Sequence, residues 1–531
     1  MRQWNSWGDS RVSMAIHPNA RVFLEDLLGP GTPLKDATLA DVIATVPASR
    51  LPEHPLIDTG AETRVRHARG QSLPDWLAMR SGQFGVFPDG VAFPTSSAEV
   101  AELLALARQQ DWTVIPYGGG TSVVGHINPL PDARPVLTLS LARLNHLINL
   151  DRSSQLATIG AGASGPQLEE LLKPHGYTLG HFPQSFELST LGGWIASRSS
   201  GQQSLQYGRI EQLFAGGRVE TLNGSLLMPT LPASSAGPDI REIIMGSEGR
   251  FGVITEATVR ISRLPEREEF RVYFLPDFAS AEAAVREVAQ QKLPLSMLRV
   301  SNAEETRTQL ILAGHKAAIA GLEKVLSWRG AGEGKCMLTV GFTGSHGKVR
   351  YALLEINRIL KQFDAVPTGK TLGTRWLQNR FKAPYLREAL WKLGYAVDTL
   401  ETAIDWPKVT SYTRDVEQAL RDGLADSRET VLAFSHLSHL YTQGSSIYTT
   451  YVFRAGRTYD DTLARWNKLK AAASKEIVRH GGTISHQHGV GRDHAPYLPA
   501  EKGEQGMAVL HALAKHFDAD KRLNPGKLLI D

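Results

Sequence analysis

Residues 116–125 read PYGGGTSVVG, and this stretch decides the fold. Gly118, Gly119 and Gly120 follow the short apolar run from Thr113 to Ile115 and precede Thr121, Ser122 and Gly125. Glycines placed after a strand let several backbone N–H groups converge on one point, and such a nest binds an anion. The spacing fits neither the G-x-G-x-x-G that opens a dinucleotide-binding helix nor the G-x-x-x-x-G-K-[ST] of a phosphate loop. Two readings stay open on these residues alone: a tight turn, and a loop that holds an adenine dinucleotide in another way.

Upstream, PTSSAEVAELLALARQQDW predicts a helix capped by Ser96, with Glu99 three residues on and Val100, Leu103, Leu104 and Ala107 on one face. Downstream, a helix is predicted from Gly165 to Lys173 with Leu168, Leu171 and Leu172 inward and Pro174 stopping it, and FGVITEATVRISRLP reads as a strand. Residues 86–265 therefore form one compact unit. Beyond Pro265 strands alternate with longer amphipathic helices, including SAEAAVREVAQQ and KVRYALLEINRILKQF, and the tail from about Thr462 is helical. Residues 1–85, rich in Pro and aromatics without a period, read as an arm that packs onto something else.

Composition bounds the function. The 531 residues carry 58 Lys+Arg against 54 Asp+Glu, a net charge of +4 with both signs interspersed, so nucleic acid is not an expected partner. No run reaches the roughly 18 apolar residues of a membrane span, and the opening MRQWNSWGDS lacks the pattern of a signal or transit peptide, which points to a cytoplasmic protein. The single cysteine, Cys336 in GKCMLTVGF, rules out a disulfide framework or thiolate metal cluster within the chain and reads as a buried strand residue.

PYGGGTSVVG, HFPQSFELSTLGGWIASRSSGQQSLQYGRIE and AGPDIREIIMGSEGRFGVITEATVRI together resemble the FAD-binding domain of the vanillyl-alcohol-oxidase-type (PCMH) flavoproteins. Within that group the chain is most similar to the alkyldihydroxyacetonephosphate synthases: RQWNSWGD resembles their K-W-N-G-W-G, and SHQHGVG their S-H-H-H-G-V-G. The resemblance implies an α+β protein with an arm over 1–85, a two-subdomain FAD-binding domain over 86–265, an α+β cap or substrate domain over 266–460, and a helical C-terminal segment over 461–531 that returns to the flavin.

Family roles then fall on particular residues. Pro116, Tyr117, Gly118, Gly119, Gly120, Thr121 and Ser122 would hold the FAD pyrophosphate. Pro183, Gln184, Ser185, Ser189, Thr190, Gly193 and Ser197 supply small polar groups and close backbone approach, and Glu248, Gly252, Val253 and Ile254 meet the cofactor through the main chain. Thr121 stands where some relatives carry a flavin-linked His, so the FAD is expected to be non-covalent. Tyr448 takes the place of the catalytic tyrosine on an alternating strand, and Arg387 that of the phosphate-binding Arg. A guanidinium suits a bidentate anion, phosphate or carboxylate alike. Glu401, in LETAIDW, is expected to line the same cavity.

His486 and His488, two apart, point the same way only on an extended segment, where a metal pair is geometrically conceivable; proton transfer is the better use of an imidazole, and no metal is expected. His126, His181, His436 and His439 read as ordinary polar or packing residues, the last two worth testing as a metal pair. Gln487 departs from the middle histidine of the synthases and cannot serve as a base, so it is expected to touch substrate. NPGK at 524–527 is an ending common in dehydrogenase-like relatives.

The resemblance implies an enzyme of ether-lipid synthesis that exchanges the acyl chain of acyl-dihydroxyacetone phosphate for a fatty alcohol through a flavin–substrate adduct, with a homodimeric state and peripheral membrane contact. The alternative is an FAD-linked oxidoreductase of a D-2-hydroxy acid or another anionic alcohol, and the remaining reading a flavin-binding protein without catalysis. The ending LLID lacks the peroxisomal SKL, so no such address is expected.

Overall fold

The computed structural model describes residues 2–314 and 316–530. In the first half, the Ser97–Gln109 helix carries the chain from the strand Gly90–Ala92 to the parallel strand Thr113–Tyr117. Both strands pair with Val136–Ser140, and Ile57–Asp58 closes a four-stranded sheet. Ser96 Oγ accepts from Glu99 N–H and Val100, Leu103, Leu104 and Ala107 are buried. The Glu99 carboxylate turns instead to the N–H and hydroxyl of Thr95, so the cap is not reciprocal. A second, antiparallel sheet of five strands is centred on Val253–Arg260. The next helix runs Gly165–Leu172 and buries Leu168 and Leu172 in the core of this five-stranded sheet; Pro174 sits inside a following 3₁₀ turn, and Gly176, at φ 84°, ends it.

The second half is built on one antiparallel sheet of seven strands, in the order Val366–Pro367, Arg267–Leu275, Cys336–Gly344, Met297–Ser301, Val431–Leu440, Gly444–Arg454, Tyr395–Asp405. Strand alternation gives this sheet two faces. Residues such as Ala433, Leu437, Ile447 and Tyr451 enter a core with Val285 of the helix Phe278–Gln290, Ile356 of His346–Leu360 and Val416 of Trp406–Asp422. The alternate residues Phe434, His436, Ser438, Tyr448 and Thr450 line a cavity. Cys336 is buried, and burial pushes its thiol up to about 12.

The arm packs on this second half. Trp76, Leu77 and Met79 of the helix Leu73–Ser81 belong to the same core, and Ser6 Oγ donates to Glu388. The tail returns to the first half: after the helices Tyr459–His480 and Leu498–Phe517, Leu523 bridges in parallel with Val114. Among the described residues no helix is long and apolar enough to cross a membrane.

Candidate active site

A cavity of about 670 Å³ lies between the two halves, and its walls differ in kind. The first wall is backbone and small side chains. Pro116, Tyr117, Gly118, Gly119, Gly120, Thr121 and Ser122 all line it, with Pro183, Gln184, Ser185, Ser189, Thr190, Gly193, Ser197, Glu248, Gly252 and Ile254. A Cβ on Gly119 would overlap the carbonyl of Leu188, and Gly120 holds φ 67°, so glycine is required at both. Ser189 Oγ accepts from Trp194 Nε1 at 2.7 Å and Ser197 Oγ donates to Gly193 O at 2.9 Å, which leaves these hydroxyls engaged with the protein. Val253 turns into the core and does not line the cavity.

The second wall is built of single side chains from separate elements. His436 and Tyr448 are cross-strand partners, their rings stacked at 4.9 Å and 15°. Tyr448 Oη donates to Thr399 Oγ1 at 3.0 Å, and His488 meets the Tyr448 ring edge-on at 5.9 Å. Behind His436, its Nδ1 lies 3.0 Å from Glu305, which also pairs with Arg299 at 2.5 Å. Arg387, on the helix Ala383–Trp391, lies over the Trp76 ring at 4.3 Å and donates from Nη1 to Gln71 O at 2.6 Å. Its Nε and Nη2 are buried without a partner, and burial pushes the guanidinium down to about 10.

Glu401 and His486 stand one layer deeper, not on the cavity wall as expected for Glu401. The Glu401 carboxylate accepts from Gln487 Nε2 at 2.6 Å and Ser438 Oγ at 2.8 Å, and faces His486 Nδ1 at 3.2 Å. Arg209 has only donors, so its Nη1 donates to His486 Nε2 at 2.6 Å and the ring proton resides on Nδ1. Burial works to raise Glu401, but His486 first, with His439 and His488, together outweigh it and hold the carboxyl well below its usual range. The ligand atoms of Glu401, His439 and His486 cluster as metal donors do, yet the Arg209 bond directs the His486 proton into that cluster.

The matching family models are an FAD binding domain over residues 88–228 and the C-terminal domain of FAD linked oxidases over 264–528. An alkyldihydroxyacetonephosphate synthase from Dictyostelium discoideum is 30% identical over 99% of this chain and 93% of its own length. One from Caenorhabditis elegans is 30% identical over 97% and 93%. A solved alkyldihydroxyacetonephosphate synthase structure superposes with a TM-score of 0.85 at 27% identity, covering 99% of this chain and 98% of that one. The chain belongs to the alkyldihydroxyacetonephosphate synthase family. More distantly, an FAD-linked oxidoreductase of Escherichia coli is 27% identical over 83% of the chain and 89% of its length.

As in this FAD-dependent family, the first wall suits a dinucleotide. The glycine loop leaves no room for side chains, and Thr190 Oγ1 is buried with no partner within the protein. Sequence reading missed several residues of the synthase-like site. His436, His439 and His126, expected as ordinary polar residues, line the cavity, whereas His181 packs against Trp194. His126 bonds Ser122 Oγ through Nδ1 at 2.8 Å and lies 3.1 Å from the Glu248 carboxylate, which accepts from the N–H groups of Val490 and Gly491. Glu248 thus ties the His488 loop to the first half through its side chain, beyond the main-chain role expected. Alternation placing His436, Ser438 and Tyr448 on neighbouring strands was the one available signal; Arg299, Glu305, Trp76 and Gln71 carried none.

Proposed function

We propose that the protein is an FAD-dependent alkyldihydroxyacetonephosphate synthase-like enzyme, exchanging the acyl chain of acyl-dihydroxyacetone phosphate for a fatty alcohol. The observation that carries this reading is the unpaired edge of Arg387, in one cavity with Tyr448 and His488 and beside an apolar wall of Leu312, Trp376, Leu386, Leu390, Val397 and Phe434. A phosphate suits the guanidinium and a fatty chain suits the wall. Both substrates reside in membranes, so delivery from a lipid surface follows. The FAD is non-covalent, since Thr121 offers no nucleophilic ring nitrogen.

Bound FAD, held by residues 116–122, Thr190 and the backbone at Glu248 and Gly252, supplies an electron-poor ring at the cavity. Arg387 binds the phosphate and orients the carbon that changes partners. Burial raises the Tyr448 phenol, which remains protonated and stabilises the departing carboxylate by donating a hydrogen bond to it, so that the acid leaves ionised and the one proton released is the alcohol's. Burial lowers the His488 imidazole, which stays neutral and accepts the proton of the incoming alcohol. A C–O bond to acyl breaks, a C–O bond to alkyl forms, and no net oxidation occurs. His486, clamped by Arg209 and Glu401, braces the loop and is not a shuttle in this scheme. Gln487, its amide nitrogen held by Glu401, lines the cavity as a neutral group, which the scheme tolerates because it assigns the base to His488.

The test is to incubate the purified protein with palmitoyl-dihydroxyacetone phosphate and hexadecanol and to measure palmitate and alkyl-dihydroxyacetone phosphate. Stoichiometric release of palmitate with ether formation is expected. Turnover only with D-2-hydroxy acids and an electron acceptor would overturn the reading in favour of the oxidoreductase.

A further inference from the structure

Two guanidinium groups rest on one indole. Arg80 lies over Trp76 at 4.5 Å and Arg387 at 4.3 Å. Arg80 is matched by two carboxylates, those of Asp36 and Glu388. Arg387 has no carboxylate ion pair among the described residues, and one hydrogen bond alone holds it, to the main-chain oxygen of Gln71. That bond occupies Nη1 and so selects which edge of the fork, Nε with Nη2, is left for a ligand. The platform under it is itself fastened: Trp76 Nε1 donates to Gln71 Oε1 at 2.8 Å, and Gln71 N donates to Ser122 O at 2.6 Å. A planar guanidinium held face-on to an aromatic ring with one edge tied loses little further freedom when it binds an oxyanion.

A third unpartnered donor lies in the same arm. Trp7 is 5% exposed, lines the cavity, and its Nε1 has no partner within the protein. Its position is set from both sides of Arg387 along the helix, because Ser6 donates to Glu388 at 2.8 Å and Asp9 N to Tyr385 Oη at 3.3 Å. An indole N–H left unpaired inside a cavity wall is costly unless a ligand accepts from it.

We propose that the N-terminal arm completes the substrate oxyanion site: Trp76 and Gln71 are positioning residues that present the Nε–Nη2 edge of Arg387, and Trp7 donates its indole N–H to the same phosphate. This rests on the reading of Arg387 as the phosphate-binding residue. It makes residues 1–85 a working part of the site, not only a structural wrap.

The experiment compares the FAD-loaded wild type with Trp76→Leu, Gln71→Ala, Trp7→Phe and, as reference, Arg387→Met. It reads KM and kcat for acyl-dihydroxyacetone phosphate, the inhibition constant of inorganic phosphate, and retained flavin absorbance. Trp76→Leu and Gln71→Ala are expected to raise KM and the phosphate inhibition constant together by about tenfold with kcat within about twofold and flavin retained. Trp7→Phe is expected to raise both by about threefold to tenfold. Because Trp76 is fully buried, Gln71→Ala carries the test where Trp76→Leu does not fold. Unchanged KM in the arm variants, with Arg387→Met raising it, overturns the arm inference and leaves the Arg387 reading intact. Unchanged KM in Arg387→Met overturns the underlying reading itself. Loss of kcat or flavin without a change in KM shows a merely structural arm, and weakened FAD retention in Trp7→Phe at constant KM assigns that N–H to a cofactor phosphate; either result overturns the assignment.

Discussion

The two walls of the cavity are built by opposite means. Residues 116–122 line one wall in sequence order, with main-chain groups and three glycines that leave no room for side chains. The facing wall takes Arg299, Arg387, His436, Tyr448 and His488 one at a time from five separate segments, and fixes them through residues of other elements: Arg299 through His436, Arg387 through Gln71, His436 through Glu305 and Tyr448 through Thr399. A backbone wall is vulnerable to added atoms. A side-chain wall is vulnerable to lost ones, and its failures show in chemistry and not in cofactor retention.

The sharpest break of this comparison is Gly119→Ala, whose methyl has no space beside Leu188 O. The purified variant is expected to come without flavin absorbance, its FAD affinity reduced by at least about a hundredfold. On the other wall, Tyr448→Phe removes one oxygen and should retain its flavin while kcat falls by about 10²–10⁴ in the acyl–alkyl exchange assay. A variant that instead loses flavin would erase the distinction between the walls.

Glu401→Gln tests the layer behind the second wall. The folded carboxyl is held below its ordinary value of 4.5, so its contribution is fully present above that pH and is lost as pH falls through the lower folded value. The variant is expected to be less stable than wild type by about 1–3 kcal/mol at pH 7, by denaturant unfolding, with the gap closing on acidification below 4.5.

The pH profile of kcat/KM is expected to be flat through neutrality. Its acid limb, where His488 becomes protonated, lies below the ordinary imidazole value of 6.5, and its alkaline limb, where Tyr448 ionises, lies above 10.0. His488→Gln should lower the plateau and abolish the acid limb. The smallest effect belongs to Ser197→Ala: its hydroxyl is already bonded to Gly193 O, so FAD affinity measured by fluorescence titration should change by less than about threefold.

How much was legible follows from the same contrast. The glycine loop was legible as part of the cavity wall because its glycines are consecutive in the chain, and Tyr448 was marked by family likeness and by alternation along its strand. The sequence also suggested Glu401 as a cavity residue, but the register that pairs it with Tyr448 puts its carboxylate under Gln487 and His486. His436 looked ordinary because nothing within its own segment shows that a tyrosine stacks on it or that Glu305, 131 residues away, holds it.

By itself the sequence determined the glycine loop after the strand Thr113–Tyr117, the alternation of the second-half strands and the family to which both belong, because each is written in consecutive residues or a short period. Only the tertiary structure decided that Arg387 presents one edge over Trp76, that His486 is locked by Arg209, and that Glu248 ties down the His488 loop. Those are pairings between side chains that share no local pattern, and their energies exist only when folding brings the partners within hydrogen-bond reach and removes water from around them.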